Sequence, residues 1–389
     1  MTTTATIPNV GHNQGTNPVK GLLAYGQSPW LDYIRRNILL NGELKKMIDE
    51  DGLRGMTSNP TIFEKAIAAG DDYSDLLNAP EAKKLNATAL YERIAIRDVQ
   101  DAADLFHPVY GETNHHDGYV SLEVSPTLGF DTPGTIEEAR RLWKAVGREN
   151  LMVKVPGTPE GLPAIRQLIE DGININITLL FAQSAYEKVA EAYIAGLEAR
   201  ANKAQPINHI ASVASFFVSR IDTLIDGQID ERLKTVTDPK ERELLTSIQG
   251  KVAIANAKLT YQKYLELFSG SRWQALVAKG AQTQRLLWAS TSTKSKKYRD
   301  VMYVEELIGA DTVDTIPPAT LDAFRDHGKL RASLTEDIPA AKKTMESLEK
   351  AGISMKEVTD KLMADGVKLF ADAFTQLLTT TGKSAGVKA

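Results

Sequence analysis

Short apolar runs recur along this chain between longer segments of helical period, and that alternation constrains the fold more than any other feature. The runs lie around Gly21 to Tyr25, Leu53 to Met56, Tyr119 to Val124, Leu151 to Val155, Ile173 to Leu180, Ile210 to Val218, Leu286 to Ala289 and Thr312 to Ile316, which makes eight expected strands. Helix-start chemistry follows several of them. Thr135 with Glu138 and Ser184 with Glu187 read as capping boxes, and Thr158 with Pro159 reads as an N-cap followed by proline at N1. Strands that alternate with helices pair in parallel, and eight such units close into a (β/α)8 TIM barrel. No Gly-x-Gly-x-x-Gly follows any run, so an open nucleotide-binding sheet loses its main support.

The expected class is α/β, a single (β/α)8 TIM barrel spanning residues 1–389. Intervals at about 61–118 and 221–284 are too long for one βα unit and read as helical insertions. In the second, Leu224, Leu233, Leu244, Leu245 and Ile248, then Leu259, Tyr261, Tyr264, Leu265 and Phe268, form apolar stripes. A C-terminal helical extension is expected at about 338–389. Its capping box is Ser354 with Glu357, and Leu362, Val367, Phe370, Phe374 and Leu377 make one apolar face.

Lys and Arg (46) nearly balance Asp and Glu (50), with both signs dispersed, so no basic field is available to displace counterions from a nucleic acid. The absence of cysteine excludes disulfides, zinc-thiolate sites, iron-sulfur clusters and thiol catalysis, and fits a cytoplasmic protein. Met1 to Gly15 lacks a signal-peptide pattern, and no apolar run approaches the ~18 residues of a membrane span, so no membrane partner is expected. The six histidines (His12, His107, His115, His116, His209, His327) show no metal-ligand spacing, so no metal or other cofactor is expected.

Chemistry concentrates at the ends of the runs. In Ile173 to Leu179, isoleucine alternates with Asn174, Asn176 and Thr178, which places polar groups on one face of a strand whose two faces are both sheltered. They are either structurally paired or line a polar ligand's site. Lys154 is the lone charge in Leu-Met-Val-Lys-Val-Pro. A buried lysine loses ammonium hydration, which favours the neutral amine that attacks a carbonyl, whereas a lysine at a strand end snorkels or pairs. Glu123 alternates with Ser121 and Ser125, Asp32 ends Ser28-Pro29-Trp30-Leu31-Asp32, and Thr57 to Thr61 closes the second strand with compact polar groups. For an anion, Arg220 follows Ser215 in the sixth run. Ser290-Thr291-Ser292-Thr293-Lys294 follows the seventh, where barrels commonly hold phosphate.

Taken in order, Met56 to Thr61, Glu123-Val124, Val153 to Pro156, Gly172 to Phe181, Ser215 to Arg220 and Trp288-Ala289-Ser290 resemble the transaldolase family, in its longer bacterial branch. The resemblance implies a class I aldolase barrel in the pentose phosphate pathway. It would transfer a dihydroxyacetone unit from sedoheptulose 7-phosphate or fructose 6-phosphate to glyceraldehyde 3-phosphate or erythrose 4-phosphate. It assigns Lys154 to the Schiff base, Asp32 to proton removal from the C4 hydroxyl, and Glu123 with Thr178 to a proton-shuttling water. Asn59, Asn176 and Ser215 would bind the dihydroxyacetone fragment, and Arg220 and Ser290 the phosphate. Some members of the branch are fused to a sugar-phosphate isomerase, so a fusion or association of that kind is an expected partner.

Two positions depart from the pattern of shorter relatives: Ser292 stands where they carry a second arginine, and Ser219 where a glycine precedes Arg220. Lys294 either replaces the missing cation or is one more solvated lysine. Phe217 matches the transferring enzymes, whereas fructose 6-phosphate aldolases carry tyrosine there. An aldolase releasing free dihydroxyacetone and a non-catalytic sugar-phosphate-binding barrel remain the alternatives.

Overall fold

A computed structural model describes residues 17–69 and 71–387; the chain start through Thr16, His12 included, lies outside the described residues. Eight parallel strands follow one another around a closed barrel, and the last pairs back onto the first. They are β1 (Gln27–Asp32), β2 (Gly55–Thr57), β3 (Tyr119–Glu123), β4 (Leu151–Pro156), β5 (Ile175–Leu180), β6 (Ser212–Phe217), β7 (Gln284–Ala289) and β8 (Thr312–Ile316). Every residue of these strands is buried except Asp32, at the end of β1. Both faces of the sheet are covered, which is why the strands read as short, nearly continuous apolar runs.

Seven expected strands fall where the runs lie, and the first does not. Leu22–Tyr25 forms a 3-10 turn closed by Gly26 at φ 73°, and β1 starts two residues later. The segment Gln27-Ser28-Pro29 does not look like a strand because its polar groups find partners only in the folded barrel. Gln27 Nε2 donates to Leu307 O and Thr312 Oγ1, and Ser28 Oγ donates to Asp117. Alternation in β5 also breaks at its end. Leu179 takes a left-handed φ of 62°, and the register with β6 shifts between Ile177 and Leu180.

Three of the expected caps are replaced. The helix Thr132–Val146 is capped by Asp131, whose side chain accepts from Gly134 N. Thr135 instead donates to Leu128 O, and Glu138 accepts from Ser125 N. Thr158 accepts from Gly161 N, but the helix itself begins at Gly161, and the helix at Gln183–Asn202 starts without a side-chain cap. Ser354 does cap Met355–Ala385, accepting from Glu357 N.

Helices occupy both long intervals: Pro60–Ala68, Ser74–Leu77 and Ala87–Glu112 between β2 and β3, and Ser219–Leu233, Pro239–Ile248, Val252–Leu267 and Ser271–Val277 between β6 and β7. Helices Ile338–Lys350 and Met355–Ala385 complete the chain, and the second reaches the C-terminal ends of the strands. There Gly366 allows close approach to Leu179, since a Cβ at 366 would stand 2.8 Å from Leu179 Cδ2. Inside the barrel, Gly55 is required by Trp30, because a Cβ at 55 would meet the indole at 2.5 Å. Among the described residues no helix is long and apolar enough to cross a membrane.

Candidate active site

Register brings the expected nucleophile and acid together. Glu123, Lys154 and Asn176 are Cα partners across β3, β4 and β5, so one layer of the barrel holds all three. Lys154 is 5% exposed; its Nζ donates to Ser58 O at 3.3 Å and lies 3.9 Å from Glu123 Oε2. That carboxylate oxygen is buried without a hydrogen-bond partner. Burial pushes the Glu123 carboxyl up to about 7 despite the opposing charge of Lys154, so near neutrality it can either give or take a proton. Thr178, in register with Pro156 beyond Lys154, is fully buried with an unpartnered hydroxyl. Buried polar groups are normally hydrogen-bonded, so these two oxygens keep unused bonding capacity.

Asp32 closes β1 in register with Thr57, whose hydroxyl donates to Asp32 Oδ1 at 2.9 Å. Burial raises the Asp32 carboxyl and outweighs the charges of Lys154, Arg220 and Lys294 that oppose it. Those opposing influences place Asp32 in the field of all three cations.

The remaining expected ligands divide. Asn59 spends its carbonyl oxygen capping the helix Pro60–Ala68, accepting from Ile62 N at 3.0 Å, and its amide nitrogen has no partner among the described residues. Asn176 and Ser215 are tied to each other: Ser215 Oγ donates to Asn176 Oδ1 at 2.6 Å, and Asn176 Nδ2 donates to Ser121 Oγ at 3.0 Å. This row spans β3, β5 and β6 beside Lys154 and holds the interior in shape as much as it offers contacts. Asn174, by contrast, donates to Glu149 O and Leu151 O and accepts from Ala211 N, so it joins strands at the opposite end of the barrel.

At the anion end, the guanidinium of Arg220 sits 4.9 Å from the centroid of the Phe217 ring, within cation–π range, and makes no hydrogen bond to a described side chain or carbonyl. Burial lowers its pKa and Asp32 opposes the shift. Ser219, in place of the smaller glycine, uses its hydroxyl to meet Ser290 Oγ at 3.0 Å, and its N–H donates to Ser290 O. Ser290 itself is left-handed at φ 58°, a conformation costly for a residue with a Cβ and therefore one the surroundings must hold. Lys294 is exposed at this mouth and donates to Ser292 Oγ at 2.5 Å; partial desolvation of its ammonium and the Arg220 charge lower its pKa. The ammonium thus lies in the field of Arg220, Asp32 and Lys65.

Two groups escape a reading of the sequence. Asp314 on β8 is the lone charge of the run Thr312 to Ile316, the same signal that marks Lys154, whereas Arg285 on β7 stands just outside the run Leu286 to Ala289, behind the polar Thr283 and Gln284. Arg285 pairs with Asp117 at 2.9 Å at the N-terminal end of the strands. Asp314 is fully buried and accepts from Thr291 Oγ1 at 3.0 Å, which holds the loop after Ser290 from behind. Among the described residues no three His, Asp or Glu side chains converge as a metal site.

Comparison with known proteins bears on this arrangement. Residues 29–381 match the family model described as transaldolase/fructose-6-phosphate aldolase. A protein named transaldolase from Trichodesmium erythraeum is 51% identical over 93% of the chain and 96% of its own length. A transaldolase 2 from Nostoc sp. is 48% identical over 91% and 94%, and a transaldolase from Thiobacillus denitrificans 43% over 94% and 100%.

Proposed function

The chain belongs to the transaldolase/fructose-6-phosphate aldolase family, and from that premise we propose how its own residues carry the reaction. The activity is that of a transaldolase, a transferase that moves a dihydroxyacetone unit between sugar phosphates. One observation supports the assignment of roles above all others: a nearly buried lysine, 3.9 Å from a buried carboxyl with an unpartnered oxygen, lies within the field of a second acid.

The amine of Lys154 adds to C2 of the ketose phosphate, and the proton its nitrogen sheds passes to the carbonyl oxygen, which becomes a hydroxyl. Protonated Glu123, acting directly or through a water held with Thr178, gives its proton as that hydroxyl leaves as water, and the nitrogen lone pair completes the iminium. Asp32 then takes the C4 hydroxyl proton. The C3–C4 bond breaks, its electron pair passes into the iminium as an enamine, and the aldose phosphate departs. The enamine adds to the acceptor aldehyde, whose oxygen takes the proton back from Asp32 as the iminium re-forms, and hydrolysis with Glu123 as base frees the new ketose. The iminium supplies the electron sink, so the scheme calls on no metal.

Arg220 and the Ser290 loop hold the substrate phosphate, with Lys294 as second cation, while Asn59, Asn176 and Ser215 meet the hydroxyls of the transferred fragment. Phe217 supports Arg220 by its ring. A cytoplasmic location agrees with the absence of cysteine.

Borohydride reduction in the presence of fructose 6-phosphate, followed by peptide mapping, tests the nucleophile. Label is expected on Lys154 alone, and Lys154→Met should lose trapping and roughly 10⁴–10⁶-fold in kcat, the scale seen when a nucleophile is removed. Label elsewhere, or turnover close to wild type in the variant, overturns the assignment. Release of dihydroxyacetone without an acceptor at the rate of transfer would favour the aldolase reaction.

A further inference from the structure

Behind Glu123 lies a second opening that the substrate reading does not use. A cavity of about 270 Å³ between helices Ala87–Glu112 and Thr132–Val146 is lined by Glu123 at its inner end and by Tyr91, Ser125 and Glu138 along its length. Exposed Thr88 and Thr127 line its outer end. Phe374 of the C-terminal helix walls one side, its ring edge-on to Tyr91 at 5.7 Å.

Of the polar side chains lining this cavity, Ser125, Thr127, Glu138, Glu92 and Arg141 bond one another or the backbone, and Tyr91 stands apart. Tyr91 is 7% exposed and its hydroxyl has no hydrogen-bond partner among the described residues. Burial and the carboxylates Glu123, Glu92 and Glu138 raise its pKa, so the hydroxyl keeps its proton and can pass one along. Glu138 is held in place by Ser125 N at 3.1 Å and faces Arg141 at 3.6 Å. Burial raises the Glu138 carboxyl, although Ser125 and Arg141 oppose the shift.

Iminium formation creates a need for such a passage. One water leaves C2 carrying the proton given by Glu123, and hydrolysis later requires one water to return. In between, a ketose phosphate stretching from Lys154 to Arg220 fills the mouth. We propose that the cavity behind Glu123 is a rear passage through which this water and its proton exchange with solvent while substrate is bound, with Tyr91 and Glu138 as relay groups along it. The inference rests on the Lys154 iminium; its test separates the two.

The enzyme is incubated with fructose 6-phosphate in ¹⁸O-water without an acceptor. Label entering the C2 oxygen above the uncatalysed background is measured per borohydride-trapped imine. In wild type, released water escapes and labelled water returns. Thr88→Trp or Thr127→Trp, which plugs the outer end far from the reacting atoms, should leave trapping intact but cut label entry several-fold, because the same water returns to C2. Glu138→Gln preserves the acceptor for Ser125 N and should slow label entry, with Glu138→Asp recovering part of it. Wild-type label entry in both tryptophan variants overturns the passage, and wild-type entry in Glu138→Gln overturns its relay. Failure of wild-type protein to trap an imine at Lys154 would instead overturn the mechanism on which both depend.

Discussion

At the N-terminal pole of the barrel, Arg285 donates to Ser28 Oγ, His116 O and Asp117 Oδ1, and Ser28 donates in turn to Asp117 Oδ2. At the C-terminal pole, Glu123 and Thr178 have unpartnered buried oxygens and the guanidinium of Arg220 bonds to no described group. Both poles bury charge of both signs. Only the first satisfies it, and the Asp117 carboxyl shows the effect: burial pushes it up, but the charge of Arg285 and the surrounding hydrogen bonds outweigh burial and hold it below the ordinary carboxylate range. At the other pole burial wins, and both Asp32 and Glu123 are raised. A closed set of partners stiffens the barrel; an open set leaves hydrogen-bonding capacity for a substrate.

If the contrast is real, activity and stability should separate by pole. The largest effect is expected at the open end, where Asp32→Asn and Glu123→Gln should each cost ~10²–10⁴-fold in kcat, the range for general acid–base groups, without a matching loss of melting temperature. They should fail differently in single-turnover trapping: Asp32→Asn accumulates imine without cleavage, whereas Glu123→Gln slows imine formation itself. Identical trapping kinetics would break the division of labour.

Arg285→Met attacks the closed end. It leaves Asp117 buried without its cation, and removal of one partner from such a pair costs about 3–5 kcal/mol. Urea unfolding should show that loss, while the folded fraction keeps near-normal kcat at low temperature. A stable but inactive variant would put this pole into the chemistry and end the comparison.

Lys294→Ala sharpens the anion side of the open pole. KM for phosphorylated donors should rise about tenfold, the ~1.5 kcal/mol of a charged hydrogen bond, with little change for unphosphorylated analogues. An unchanged KM would leave Arg220 and the Ser290 loop as the whole phosphate site.

Asp314, which is buried behind that loop and has its carboxyl pushed up to about 8, is tested by pH and not by turnover. The unfolded chain gives up this proton near pH ~4. Its contribution to stability is therefore full below that pH and is lost as pH rises through about 8. Asp314→Asn keeps an acceptor for Thr291 and should flatten the fall in stability between those limits. Asp98 and Asp222, also raised to about 7, keep part of the slope. An unchanged slope in urea titrations across this range would remove Asp314 as its source.

Much of the open pole was legible in the chain itself. Lys154 stands alone in an apolar strand, Glu123 shares a period-two face with Ser121, and the recurring runs set the barrel. These are local patterns, and they survive because a strand sheltered on both faces tolerates a charge only where something answers it. Caps and boundaries were less legible. Asp131, not Thr135, caps its helix because Leu128 O claims the threonine hydroxyl, and β1 hides behind polar residues whose partners lie far along the chain.

By itself, then, the sequence determined the class of fold and the order of its strands and singled out Lys154 as a candidate, since periodicity and a lone charge are properties of neighbouring residues. Only the tertiary structure decided which charges were answered. Lys154 and Arg285 are each the single cation of a buried strand, yet one lies in register with a carboxyl that keeps an unpartnered oxygen and the other meets a carboxylate, a hydroxyl and a carbonyl. Closure of the barrel makes that difference. It brings β1, β3 and β7 together at one pole and sets the free energy of each charge by partners distant in the chain.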